Sequence, residues 1–246
     1  MGVRVEGEPP YPTTKEELDN YCSNFIQSLR SHLGNRLISV HLCGSWARRE
    51  AHPPESDTDL MVVIDKVDEH TSNALRQVWK DTDIGCANVV DLVEIKAEPT
   101  ELMAMMSDCH TVLFGSDPFP MPSKERYAQN LADVASTIGL NARCQDYYNW
   151  ESSERSTSNL KYLNGKVLKW ALRNLVAMRT GNMPVTYRDL KEQLKDTDEG
   201  ELLNWTENVS DDDYATTEKR LAIARRFSLF AEKWLKESAS ARSSAN

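Results

Sequence analysis

From Ile38 to Asp65 the chain reads ISVHLCGSWARREAHPPESDTDLMVVID. Two apolar runs rich in β-branched residues frame a polar stretch, and each is too short to be a stable helix, so both read as buried strands. The second run is headed by Asp57 and Asp59. Side chains alternate along a strand, which puts both carboxylates on one face. Two like charges a few ångströms apart resist joint ionisation, and neither is tolerated in an apolar core without a partner. The chain must therefore build a sheet whose interior is apolar. Its polar end must open beside the turn that follows Ser45.

The remaining elements fall around this stretch. TTKEELDNYCSNFIQSLRSHLG begins with a Thr14-to-Glu17 capping box, carries an apolar helical face and stops at Gly34. Strands are predicted over Arg36–Cys43, Asp57–Ile64, Asn88–Ile95 and Thr111–Gly115, with helices at HTSNALRQVWK and PTELMAMMSDCH. Strands alternating with helices give an α/β (α+β) domain with a mixed sheet. Pro118, Pro120 and Pro122 then punctuate the chain. A boundary there separates residues 1–120 from 121–246, and the latter read as an all-α helical bundle. The strongest helix is SNLKYLNGKVLKWALRNLVAMRTG, ended by Gly181. TYRDLKEQL opens on another Thr-x-x-Asp cap, and the terminal SASARSSAN reads as frayed.

Of 246 residues, 38 are acidic and 29 basic, for a net charge of −9. That balance argues against a nucleic-acid acceptor, which calls for a basic footprint. No apolar run approaches the roughly 20 residues of a membrane span. MGVRVEGEPPYP lacks the apolar stretch of a secretory signal, and Glu6 stands where a myristoylation signal wants Ser or Thr. Five scattered cysteines without a C-x-x-C pair suit reduced thiols. The expectation is a cytoplasmic protein.

A strand running into Gly-Ser and a polar turn presents backbone N–H groups to phosphate, since glycine permits close approach. Carboxylates facing such a site need a cation between, and Mg²⁺ takes carboxylate and phosphate oxygens. Two-metal transfer calls for a third carboxylate, and Asp91 lies within the valine-rich third strand. Asp57, Asp59 and Asp91 are thus the candidate metal ligands and catalytic carboxylates.

The stretch GSWARREAHPPESDTDLMVV, with Gly-Ser, an Ala-Arg pair and Ser-Asp-x-Asp-Leu, resembles the signature of the polymerase-beta-type nucleotidyltransferase superfamily. It is most similar to the minimal nucleotidyltransferases and the aminoglycoside nucleotidyltransferases. The second half, through KVLKWALRNLVAMRTG and TYRDL, more weakly resembles the helical domain of such proteins. The resemblance implies two Mg²⁺ ions and a nucleoside triphosphate, ATP favoured, with Gly44, Ser45, Arg49 and Ser56 on the nucleotide. It departs from the family at Arg49, where glycine usually follows the Ala-Arg pair. The implied activity is transfer of a nucleoside monophosphate to a hydroxyl of a small molecule, such as an aminoglycoside-like antibiotic. A protein acceptor, as for an antitoxin that modifies its toxin, and a non-catalytic nucleotide-binding module are the alternatives.

On the long helix of the second half, Lys166, Lys169 and Arg173 are candidates to hold the triphosphate, Lys166 and Arg173 lying near one stripe; a solvated basic face is the other reading. Glu151 and Glu154 are candidate general bases. The five histidines show no metal-ligand spacing, and His41 reads as a satisfied core residue. Asp196–Glu201 and Ser210–Asp213 read as solvated acidic loops that attract a cationic acceptor.

Overall fold

The computed structural model describes residues 12–53, 56–82, 87–96, 109–119, 122–145 and 152–243. The chain divides into two compact units, Met1–Met121 and Pro122–Asn246. The first is α/β with a mixed sheet; the second is helical. Among the described residues no helix is long and apolar enough to cross a membrane.

In the first unit, helix α1 (Lys15–Leu33) starts where Thr14 Oγ1 accepts the Glu17 N–H at 3.1 Å. The Glu17 carboxylate reaches back to Thr13 rather than Thr14, accepting from its N–H and its hydroxyl, both at 2.7 Å. Strands β1 (Leu37–Leu42), β2 (Leu60–Ile64), β3 (Ala87–Asp91) and β4 (Thr111–Gly115) form one sheet in the order β3-β2-β1-β4. β1 runs antiparallel to β2 and β4, and β2 runs parallel to β3. The two central strands carry the core. Val40, Leu42, Leu60, Val62 and Ile64 face α1 and the helix α3 (Glu69–Thr82), packing with Phe25, Leu29 and Val78. Met61 and Val63 join Cys43, Val90 and Ile95 in a separate cluster, as strand alternation requires. A four-residue helix, α2 (Gly44–Ala47), follows β1.

Two strand boundaries differ from the sequence reading. β2 starts at Leu60, so Asp57 and Asp59 lie in the segment leading into it. The expected strand Asn88–Ile95 stops at Asp91 and turns into the short helix α4 (Leu92–Lys96). Asp91 itself accounts for the break. Its carboxylate accepts the Val93 N–H at 2.8 Å, the bond of a helix N-cap. Valine-rich composition extends a strand only while no cap competes.

The second unit contains helices α5 (Lys124–Arg143), α6 (Ser153–Tyr162), α7 (Leu168–Thr180), α8 (Tyr187–Leu194), α9 (Asp198–Glu207) and α10 (Thr217–Ser243). α10 and α7 both pack against α5 around Tyr127, Leu131, Ile138, Leu172, Leu175, Phe227 and Trp234. The expected single long helix is broken: a π turn at Leu163–Val167 joins α6 to α7. Gly181 closes α7 in the left-handed region, at φ 84°. Thr186 and Asp189 form the capping box of α8. The terminal stretch is helical through Ser243 rather than frayed, and Arg242 donates to Gln129 Oε1 at 2.6 Å.

Candidate active site

The turn after β1 is shaped by its first residues. Cys43 is extended, and its N–H donates to the Asp59 carbonyl at 2.8 Å, bringing Asp59 beside the turn. Gly44 has φ +65°, a conformation that disfavours any Cβ. Space forbids one as well: a Cβ there would fall on Asp59 Oδ2 and lie 2.8 Å from its Cγ. The missing side chain of Gly44 is thus the seat of the Asp59 carboxylate. Asp59 is half-buried, Asp57 is exposed, and Thr58 between them is buried. Burial first, then the neighbouring Asp59 charge, pushes the Cys43 thiol up to about 12, so it is no nucleophile at neutral pH.

The turn closes through the Glu50 N–H, which donates to the Ser45 carbonyl at 2.8 Å. Arg49 stands at φ 59°, the left-handed region. This explains the glycine expected at that position: the turn needs a positive φ, and here a non-glycine residue adopts it. Arg48 pairs with Glu50 at 3.0 Å. The Ser56 hydroxyl accepts the His52 N–H at 2.7 Å, which engages it in the approach to Asp57.

Asp91 is not brought to this place. The parallel register sets Leu60 against Ala87 and Ile64 against Asp91. Asp91 thus lies about five residues beyond Asp59 along the strand direction, roughly 16 Å at ~3.3 Å per residue. Its carboxylate accepts the Val67 N–H at 3.3 Å besides that of Val93. The register thus sets Asp91 apart from Asp59 along the sheet, and its carboxylate caps α4.

The helical unit revises the basic stripe. Lys166 is exposed and lies over the Trp170 ring at 5.7 Å, while Lys169 lies over Tyr187 at 4.6 Å. Arg173 is buried and donates to the Val185 carbonyl at 3.4 Å. Lys166 sits within the π turn and is exposed whereas Arg173 is buried, so the two do not form one exposed basic face. Glu154 is exposed in the first turn of α6; Glu151 lies outside the described residues.

Two clusters escaped the sequence reading. Glu199, expected in a solvated acidic loop, is buried, with Lys233 Nζ at 2.8 Å and Arg179 Nη2 at 3.5 Å. Burial alone would raise its pKa, but those cations hold it below the ordinary value. In the first unit, His41, His110 and Asp117 converge, each with a ligand atom within 4.8 Å of the others. His41 is not a satisfied core residue: among the described residues its buried Nδ1 has no hydrogen-bond partner. His41 is distant in sequence from the other two, which flank β4, and it meets them through the pairing of β1 with β4.

No family model and no curated relative matches the chain. Among solved structures, it is similar to spectinomycin adenyltransferase AAD(9) from Enterococcus faecialis, crystallised with ATP and spectinomycin. The TM-score is 0.49 and the identity 13%, over 85% of this chain and 98% of that one.

Proposed function

We propose that the chain is a Mg²⁺-dependent nucleotidyltransferase that moves a nucleoside monophosphate, AMP favoured, onto a hydroxyl of a small cationic acceptor of the aminoglycoside type. The observation that carries the reading is the Asp59 carboxylate seated on the side-chain-free face of Gly44, with Asp57 two residues earlier in the chain. Phosphate-binding turn and carboxylates are thereby one unit. Asp57 and Asp59 offer a hard, oxygen-only donor set, which suits Mg²⁺. When bound, the ion neutralises phosphate charge and steadies the leaving oxygens. Ser45 and its turn orient the triphosphate. The acceptor oxygen forms a bond to the α-phosphorus, the bond to pyrophosphate breaks, and the hydroxyl proton passes to a base, for which Glu151 and Glu154 are the candidates. Lys166 and Lys169 are proposed to meet the triphosphate; buried Arg173 fits a structural role better.

One observation favours a second reading. With Asp91 engaged on backbone donors away from the pair, the carboxylate set suits nucleotide binding without turnover. Pyrophosphate release separates the two. The protein is incubated with Mg²⁺, each nucleoside triphosphate and a panel of aminoglycosides, and the sugars are weighed by mass spectrometry. A nucleotidyl adduct supports the enzyme; triphosphate binding with no pyrophosphate supports the binding module.

A further inference from the structure

We propose that His41, His110 and Asp117 form a metal site for a borderline divalent ion of the Zn²⁺ class, one that clips the edge strand β4 to β1. The proposal is independent of the nucleotidyl-transfer reading.

The scaffold is rigid where it matters. His41 lies in β1 opposite Val112 of β4. His110 immediately precedes β4, and Asp117 follows it, past Gly115 at φ +77°. A Cβ on Gly115 would meet the Ile38 backbone, so the strand leaves the sheet there in close contact with β1. Both ends of β4 are thereby brought back to one residue of β1.

The donors are already oriented. His41 is fully buried, and its Nε2 lies 2.7 Å from Ser39 Oγ. In the tautomer where Nε2–H donates to Ser39, the lone pair sits on Nδ1, the nitrogen without a partner among the described residues. A ligating imidazole held through its other nitrogen is the usual support of a metal site. His110 Nε2 lies 2.9 Å from Asp117 Oδ2. The other oxygen, Oδ1, accepts the Phe119 N–H at 3.0 Å, which fixes the carboxylate. The Phe119 ring packs edge-on against both imidazoles, at 5.2 Å from His41 and 5.7 Å from His110, shielding one side of the cluster.

The geometry calls for a small closure. Bonds of about 2.1 Å around a tetrahedral ion set ligand atoms roughly 3.4 Å apart. His110 and Asp117 already stand 2.9 Å apart, so the separation that must close, at most 4.8 Å, runs from that pair to His41. On binding, the hydrogen bond between His110 and Asp117 opens and the ion takes its place, the imidazole N–H residing on the ring nitrogen that faces away from the ion. Two imidazoles and one carboxylate suit Zn²⁺ rather than Mg²⁺, and leave a fourth position for water.

The test uses the full chain stripped by a chelator and titrated with Zn²⁺ against a chromophoric competitor. Co²⁺ replaces Zn²⁺ in a parallel sample to give a ligand-field spectrum. The wild type is expected to take one ion per chain, with a tetrahedral Co²⁺ signature. His110→Ala and Asp117→Asn should each weaken binding by at least about tenfold, and Ser39→Ala, acting through His41, by about tenfold. Asp57→Asn should leave Zn²⁺ affinity unchanged. Circular dichroism without metal establishes that each variant is folded. Overturning results are no ion bound by the wild type, unchanged affinity in both His110→Ala and Asp117→Asn, or loss of the ion in Asp57→Asn.

Discussion

Two residues of one turn have opposite tolerances. At Gly44, any side chain collides with Asp59 and strains a positive φ, so Gly44→Ala must displace the carboxylate. Turnover should fall by about a hundredfold or more, as expected when a metal-held transition state loses several kcal/mol. The measurement is pyrophosphate release beside Asp59→Asn, which should be equally impaired. A fully active Gly44→Ala would remove the seat from the mechanism. Arg49 also has positive φ, but nothing requires it to lack a side chain. Replacing it by glycine relieves about 1–2 kcal/mol of left-handed strain and adds about 0.4–1 kcal/mol of unfolded-state entropy. The two partly cancel, so Arg49→Gly should stabilise by between zero and about 1.6 kcal/mol. Arg49→Val, β-branched at that φ, should lose at least as much as the strain figure. Denaturant midpoints decide.

Among the elements, β3 and α9 carry the informative errors of sequence reading. Thr111–Gly115 and the α8 capping box were legible because their signals are local. The stopping point of β3 was not, since an aspartate in a valine run serves equally as ligand or cap until the parallel register is known. The two roles predict different mutants. Asparagine caps as well as aspartate, so Asp91→Asn should retain both stability and turnover, whereas Asp91→Ala should lose about 1 kcal/mol. Complete loss of turnover in folded Asp91→Asn would restore the triad. Glu199 was illegible for a related reason: its partner Lys233 lies on α10, outside any local window. Removing one member of a buried pair costs about 3–5 kcal/mol. Arg179 and Lys233 are partly exposed, so about 2 kcal/mol is expected for Glu199→Gln. Its carboxyl is held below the ordinary 4.5, so the stabilisation is full above that pH and lost as pH falls through the folded value. The gap in melting temperature between wild type and Glu199→Gln should therefore narrow on acidification below 4.5.

At the scale of the molecule, the α/β half and the helical half were legible because the period of the apolar pattern changes between them. The meeting of His41, His110 and Asp117 was not, because pairing of β1 with β4 is a tertiary event. The net charge of −9 belongs to this scale too. It should draw a polycationic acceptor, and the attraction should fade as the Debye length shrinks from about 10 Å at 0.1 M salt to about 3 Å at 1 M. Titration calorimetry with an aminoglycoside at several salt concentrations measures the slope; a flat response would assign recognition to uncharged contacts. The π turn at Leu163–Val167 has a consequence for descent. Such a turn holds one residue more than an α turn, the local trace that a single-codon insertion leaves in a helix. Gly165 faces open space, so the extra residue is accommodated without disturbing a neighbour. Deleting one codon there should join α6 and α7 into one α ladder with both flanks close to their present faces, because the π turn absorbs the extra residue. Ser156 and Leu160 should therefore stay in the core. The turn thus marks the place on this helix where one residue can be gained or lost without rebuilding the buried face of α6.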